Sequence, residues 1–199
     1  MTSAETQDAL TAYGELVREF HDTLDLVSAA ALDNWPQLLA DAAQYAAVIR
    51  ELAPDARTIM DVGSGAGLPG IPLALAFPER QVWLTERRRR RAAFLNLARG
   101  RLGLTNVTVH AGDITALAGP EAAVVTAQAV SDFTSVYRLS CHLHAAEVIL
   151  ISSKGEEWRS ESDELSVAIT PVVSNAVRPR AGGDGFIVGL LLRGGVQCP

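Results

Sequence analysis

An apolar run from Thr58 to Val62 passes into Asp61-Val62-Gly63-Ser64-Gly65-Ala66-Gly67, and a helix-like stretch, Leu68 to Leu75, follows at once. Strand, glycine turn, helix is the feature that most constrains the fold. Glycine alone enters left-handed backbone without steric cost, and its missing Cβ lets a ligand approach the main chain. In an open α/β sheet such a turn lies at the carboxyl edge of the first strand, where ligands bind.

The flanking sequence continues that architecture. Short apolar runs at Gln81 to Thr85, Val107 to His110, Val124 to Ala127 and Glu147 to Ser152 alternate with helix-length stretches, which predicts successive βαβ units. Two further strand-like runs, Val167 to Val177 and Phe186 to Leu192, are joined by Pro179 to Gly185, which predicts a closing antiparallel hairpin. Ahead of the sheet, Leu10, Tyr13, Val17, Phe20 and Leu24 recur at helical spacing, as do Leu39, Ala42, Ala46 and Ile49 after the Asn34-Trp35-Pro36 break. The expected fold class is α/β, a Rossmann-like, doubly wound and mostly parallel sheet with helices on both faces. One domain is expected over 1–199, with 1–56 as a helical extension and 57–199 as the ligand-binding core.

Composition excludes several alternatives. At 48% hydrophobic and 20% charged residues the chain is not disordered, and no run nears the roughly 18 apolar residues of a spanning helix. The first residues, MTSAETQDAL, lack the basic-then-apolar order of a secretory signal. Cys141 and Cys198 offer neither a disulfide framework nor paired metal-ligand spacing, so a cytoplasmic protein without metal or membrane contact is expected. His142 and His144, two apart in an expected helix, point to different faces, and Trp35, Trp83 and Trp158 are scattered as packing residues are.

The net charge of −6 conceals a polarised distribution. Residues 1–86 hold 4 basic and 13 acidic side chains, and residues 87–199 hold 13 and 10. An anionic partner should therefore meet the second part. Seven basic residues lie between Arg87 and Arg101, and Lys154 is the sole lysine. Arg87, Arg88, Arg89 and Arg90 open the helix after the second strand, near the ligand edge, where positive charge opposes the helix dipole; that placement favours a nucleic-acid contact.

Acids mark the strand ends. The spacing is G-x-G-x-G, not the G-x-G-x-x-G of dinucleotide sites, and Asp61 before it suits a cationic amine, bonded directly or through water, better than a pyrophosphate. Glu86 ends the second strand, 19 residues after Gly67, where a carboxylate commonly accepts both ribose hydroxyls. Asp113, in Gly112-Asp113-Ile114 after the third strand, suits an adenine amino group. Together these acids point to S-adenosylmethionine, held by Asp61, Gly63, Ser64, Gly65, Gly67, Leu68, Glu86, Asp113, Ile114 and Gln128.

DVGSGAGLPGIPLAL, Asp61 to Leu75, closely resembles the cofactor motif of the 16S ribosomal RNA methyltransferase G family, also called glucose-inhibited division protein B. Arg90 to Leu95, Leu102 to Val107, Val124 to Ala127 and Lys154-Gly155 extend the resemblance across about residues 10–192. It implies a bacterial, class I methyltransferase that uses S-adenosylmethionine to methylate N7 of a guanosine in the 530 loop of 16S rRNA. Its partner would be 16S rRNA or the small ribosomal subunit, met by a monomer. Departures fall on the acceptor side: Ala127-Gln128-Ala129 where the family usually has an arginine, Gln37-Leu38 where it has Arg-His, Asp25-Leu26-Val27 where it has Asn-Leu-Thr, and Asp113 where a basic residue is commoner.

Methylation of guanine N7 needs alignment rather than a base, so no catalytic side chain is expected; Gln128 and Lys154 are candidate acceptor contacts. Neither cysteine sits in the Pro-Cys turn of a C5-pyrimidine nucleophile, and the Asn/Asp-Pro-Pro-aromatic tetrapeptide of exocyclic-amine enzymes is missing. The alternatives are a divergent methyltransferase acting on another RNA or a small molecule, and a non-catalytic S-adenosylmethionine-binding protein.

Overall fold

Seven strands form one sheet in the order β3-β2-β1-β4-β5-β7-β6, seen in a computed structural model that describes residues 3–128, 131–169, 171–181, 183–193 and 198. Strands β1 (Thr58–Val62), β2 (Gln81–Glu86), β3 (Val107–Ala111), β4 (Ala122–Ala127) and β5 (His144–Lys154) are parallel. The last two, β6 (Val172–Pro179) and β7 (Phe186–Arg193), form a hairpin that joins β5 antiparallel through β7.

Helices cover both faces, which explains why β1 is buried along nearly its whole length. On one face α1 (Ser3–Leu24), α3 (Trp35–Leu52), α4 (Gly70–Ala76) and α5 (Arg89–Arg101) bring Tyr13, Val17, Ile49, Leu73 and Phe94 against Ile59, Val82, Val124 and Ile149. On the other, α6 (Phe133–Ser140) and α7 (Trp158–Ala168) bring Phe133, Tyr137, Trp158 and Leu165 against Met60, Val125, Leu150 and Val188. The helical extension thus shares its core with the sheet. A Cβ on Gly189 of β7 would stand 2.3 Å from Val48 of α3, so those backbones approach as only glycine allows.

The sheet reverses its winding between β1 and β4. Val62 pairs with Ala127 there, and β2 departs on the other side of β1. Ligand sites form at such reversals, outside the carboxyl ends of the strands.

Several sequence expectations are corrected. Three helices, not two, precede the sheet: Ser28 caps the short α2 (Ala29–Asp33) by accepting from the Ala31 amide at 3.2 Å, and α3 begins at Trp35 with Pro36 in its first turn. The strand expected over Val167 to Val177 begins only at Val172, because α7 continues to Ala168 on the buried spacing of Trp158 and Leu165. Thr170 of that stretch, Gly182 of the hairpin turn and Ala129 after Gln128 lie outside the described residues. His144 is not helical. It opens β5 with its Nε2 2.8 Å from the Ser140 hydroxyl, and burial pushes its pKa down to about 4.

The cysteines are not separate either. Cys141 and Cys198, 57 residues apart in sequence, form a disulfide with Cα atoms 5.6 Å apart. Sequence spacing could not reveal that the two approach in space, and the pair carries no argument for a reducing compartment. Among the described residues no helix is long and apolar enough to cross a membrane, and no group of three or more His, Cys, Asp or Glu could hold a metal ion.

Candidate functional site

The glycine turn is stapled to β2 by its own main chain. The Ser64 amide donates to the Thr85 carbonyl at 2.9 Å, and the Gly67 amide donates back to Ser64 at 2.6 Å. Gly67, at φ 100°, could not take a side chain, since a Cβ would stand 2.6 Å from Ile71. From the helical layer, the buried Tyr13 hydroxyl donates to the Ala66 carbonyl at 2.8 Å. Burial, with Asp61 nearby, raises that phenol's pKa well above its usual value, so it stays a donor.

Glu86, the last residue of β2, links the turn to α5. One carboxylate oxygen accepts from the Gly65 amide at 3.1 Å and the other from the Arg88 amide at 2.7 Å. A carboxylate oxygen can accept more than one hydrogen bond, so both can still receive hydroxyl donors. A cavity of about 380 Å³ opens beside it, walled by Gly63, Glu86, Arg88, Asp113, Ile114 and Leu139. Gly63, at φ 68°, presents bare backbone to that space. Across from it Asp113 begins a single 3₁₀ turn, Ile114–Ala116, accepting from the Thr115 amide at 2.9 Å and its hydroxyl at 2.8 Å. Those two bonds hold the Asp113 carboxyl below the usual range.

Asp61 stands elsewhere. It is fully buried behind the turn, outside the cavity wall, where one oxygen accepts from the Thr126 hydroxyl of β4 at 2.7 Å. Its other oxygen has no hydrogen-bond partner and would lie 2.8 Å from a Cβ on Gly70. Burial pushes its carboxyl up to about 7, against the pull of the Thr126 and Ser64 hydroxyls and the nearby Gly70 amide. In this arrangement the acid fastens β1 to β4 beneath the turn. Ser64 and Leu68 are also buried, with the Ser64 hydroxyl donating to the Asp61 carbonyl at 3.0 Å.

Arg87, Arg88, Arg89 and Arg90 are all exposed, and the first two reach the cavity rim. Arg91, which also lines the rim, is tied to the end of α1 through the Leu24 and Asp25 carbonyls and, at 3.3 Å, the Asp25 carboxylate. Gln128 follows β4 directly and is half-buried, outside the cavity wall. Lys154, at the end of β5, is not presented to solvent: its side chain is 7% exposed and pairs with Glu161 of α7 at 2.7 Å. Sequence reasoning missed Tyr13, Thr85, Thr126, Arg91 and Glu161, which act through contacts between distant segments and carry no local motif.

Comparison with known proteins adds independent findings. The family model described as rRNA small subunit methyltransferase G matches residues 6–177. The ribosomal RNA small subunit methyltransferase G of Beutenbergia cavernae is 38% identical over 157 residues, covering 78% of this chain and 72% of that protein. Its counterpart from Rhodospirillum centenum is 37% identical over 168 residues, covering 83% and 74%. Among solved structures, the O-methyltransferase TomG from Streptomyces achromogenes, in complex with SAM, superposes with a TM-score of 0.61 at 20% identity, covering 94% of this chain and 90% of that one. M. jannaschii TYW2 in complex with AdoMet gives 0.57 at 13% identity over 78% and 74%. At such identities the structural likeness concerns the fold.

Proposed function

Since the chain belongs to the rRNA small subunit methyltransferase G family, we propose that it transfers a methyl group from S-adenosylmethionine to N7 of a guanosine in the 530 loop of 16S rRNA. The observation that carries this reading is the juxtaposition of Gly63 backbone and the Glu86 carboxylate in one cavity wall. Bare left-handed backbone at Gly63, beside an acceptor for two hydroxyls, fits a nucleoside with an attached amino acid.

When bound, S-adenosylmethionine supplies an electrophilic methyl group on its sulfonium. Glu86 accepts the ribose hydroxyls, Asp113 meets the adenine amino group, and Ile114 offers the base an apolar surface. Gly65 and Gly67 hold the shape of the turn, and Asp61, Ser64 and Leu68 support it from behind. The acceptor needs little from acid–base groups. Glu86 is engaged by two amides, Asp61 is screened, and Lys154 is ion-paired, an arrangement suited to guanine N7, whose lone pair is free at neutral pH. Arg87 to Arg90 offer charge for the RNA backbone at the rim.

On this reading the protein is one methyltransferase domain that works as a monomer in the cytoplasm, on 16S rRNA or the small ribosomal subunit. A second reading, methylation of another RNA or a small molecule, is favoured by Gln128 in place of a cation and by the engagement of Lys154. The deciding experiment is transfer of labelled methyl to small subunits that lack their own N7 methylation, with the modified nucleotide mapped. Label on the 530-loop guanosine is expected; cofactor binding without such label would favour the second reading.

A further inference from the structure

We propose that the Lys154–Glu161 ion pair is a positioning device for the acceptor side of the site. It anchors the start of α6, at Ser131 and Phe133, and it touches neither substrate. The inference rests on the methyltransferase reading given above.

Chain geometry places Lys154 where such an anchor can act. Strand β4 ends at Ala127, at the reversal of the sheet, and Gln128 begins the crossing to α6. Neighbouring β5 pairs Ser152 with Ala127 and runs on to Lys154. The two extra residues carry Lys154 about 7 Å beyond the end of β4. From there its ammonium reaches the Ser131 carbonyl at 2.8 Å, Glu161 at 2.7 Å and the face of the Phe133 ring at 4.9 Å.

Glu161 completes the anchor from α7. The oxygen that binds Lys154 also accepts from the Phe133 amide at 3.2 Å, one of the unpaired amides at the start of α6. Asp132 satisfies a second, accepting from the Ser135 amide at 2.7 Å. The Phe133 ring is fully buried in the core beneath. The backbone of Lys154 is itself confined, because a Cβ on Gly185 of the hairpin turn would stand 2.4 Å from its carbonyl oxygen. Ser131 before α6, Phe133 at its start and Glu161 of α7 therefore converge on one ammonium.

A compact ammonium suits this task, and Lys154 is the chain's only lysine. Buried charge pairs often add little net stability compared with apolar groups of similar size, whereas their geometric demands select one arrangement. The arrangement selected here fixes the start of α6 at Ser131 and Phe133.

The test compares Lys154→Met, Glu161→Gln and the double variant Lys154→Met/Glu161→Met with the unaltered protein. Hydrogen exchange at the Phe133 amide, S-adenosylmethionine dissociation constants, and kcat and KM for small-subunit rRNA are measured. Each single variant should speed Phe133 exchange about tenfold and lower kcat/KM for RNA about tenfold, with cofactor affinity held within about twofold. The double variant should be no worse than the poorer single, because the pair acts as a unit. Should Lys154→Met fail to fold, the double variant decides: raised exchange and lowered kcat/KM support the proposal, and wild-type values overturn it. Unchanged exchange in the single variants overturns it as well. So does a Glu161→Gln enzyme with wild-type kcat/KM beside an inactive Lys154→Met, which would make the ammonium a direct acceptor contact. If the unaltered protein binds the cofactor and methylates no rRNA, the functional reading falls and the exchange data decide the anchor alone.

Discussion

On the β1–β3 side of the ligand edge, the wall is made of main-chain amides, one carboxylate and a capped 3₁₀ turn, all supplied by residues within a few positions of a strand end. On the β4–β5 side, the frame is a side-chain network whose hydrogen-bonded partners lie 23 and 28 residues apart. In the wall, the Glu86–Arg88 and Asp113–Thr115 bonds close within two residues and only Gly65–Glu86 spans 21, so most of it is tied to the chain's covalent geometry. A long-range frame depends on how strands and helices dock, so it can vary while the first stays constant. The sequence follows that contrast at Asp61 to Leu75, where the resemblance to the family is densest, and at Gln128, which departs from it; Asp113 of the wall and Lys154-Gly155 of the frame run the other way.

The largest expected effect tests the local wall. Glu86→Ala removes the acceptor of two amides and, on the proposed reading, of two ribose hydroxyls. Charge-assisted bonds contribute about 1.5–3 kcal/mol each, so cofactor affinity should fall by about a hundredfold or more in calorimetric titration. An unchanged dissociation constant would show that the cofactor does not use this wall. The anchor variants described above should do the opposite, sparing cofactor affinity and lowering acceptor efficiency.

Asp61 joins the two regions, since it stands in β1 and accepts from the Thr126 hydroxyl of β4. Its folded pKa of about 7 lies above the unfolded value near 3.8, so the folded state holds the proton more tightly. Stability from this group is therefore fully present below about pH 4 and is lost as pH rises toward 7. Asn imitates the protonated acid. The stability of the native protein relative to Asp61→Asn should accordingly decline by about 2 kcal/mol between pH 5 and 8 in urea titrations. A flat difference would mean that Asp61 is solvated and faces the cavity after all.

These contrasts also explain what was legible in the sequence. The strand Thr58–Val62, the glycine turn and the position of Glu86 were readable because period, glycine spacing and strand ends are local signals. The Thr126 partner of Asp61 was not, since an acid near the end of a buried strand carries no local sign of which neighbouring strand it bonds. Val167 belongs to the end of α7 although its run looks strand-like; it is 90% exposed there, so burial never tested its preference. Lys154 reads as an acceptor contact because a cation after the fifth strand stands near the ligand edge, and its ion pair carries no local signal. Its partner Glu161 lies in an unremarkable acidic stretch, GEEWRSESDE, where nothing singles out one carboxylate. The pairing of Cys141 with Cys198 likewise depends on where the chain end travels.

The smallest expected effect concerns the rim between cofactor and acceptor. Arg88 and Arg89 are exposed at the start of α5, and Arg88 holds the capping position without a side-chain bond to the helix. Positive charge there opposes the helix dipole, so Arg88→Gln/Arg89→Gln should not lower the melting temperature. If both guanidiniums meet phosphates, the double variant should weaken rRNA binding about tenfold at moderate salt and reduce the salt dependence by about two counterions. Cofactor affinity should stay the same, because Glu86 receives the Arg88 main-chain amide, which glutamine retains. An unaltered salt slope would make these arginines solvent-facing and confine acceptor recognition to the β4–β5 side, where the Lys154–Glu161 anchor would then carry a larger share of the difference between the two regions.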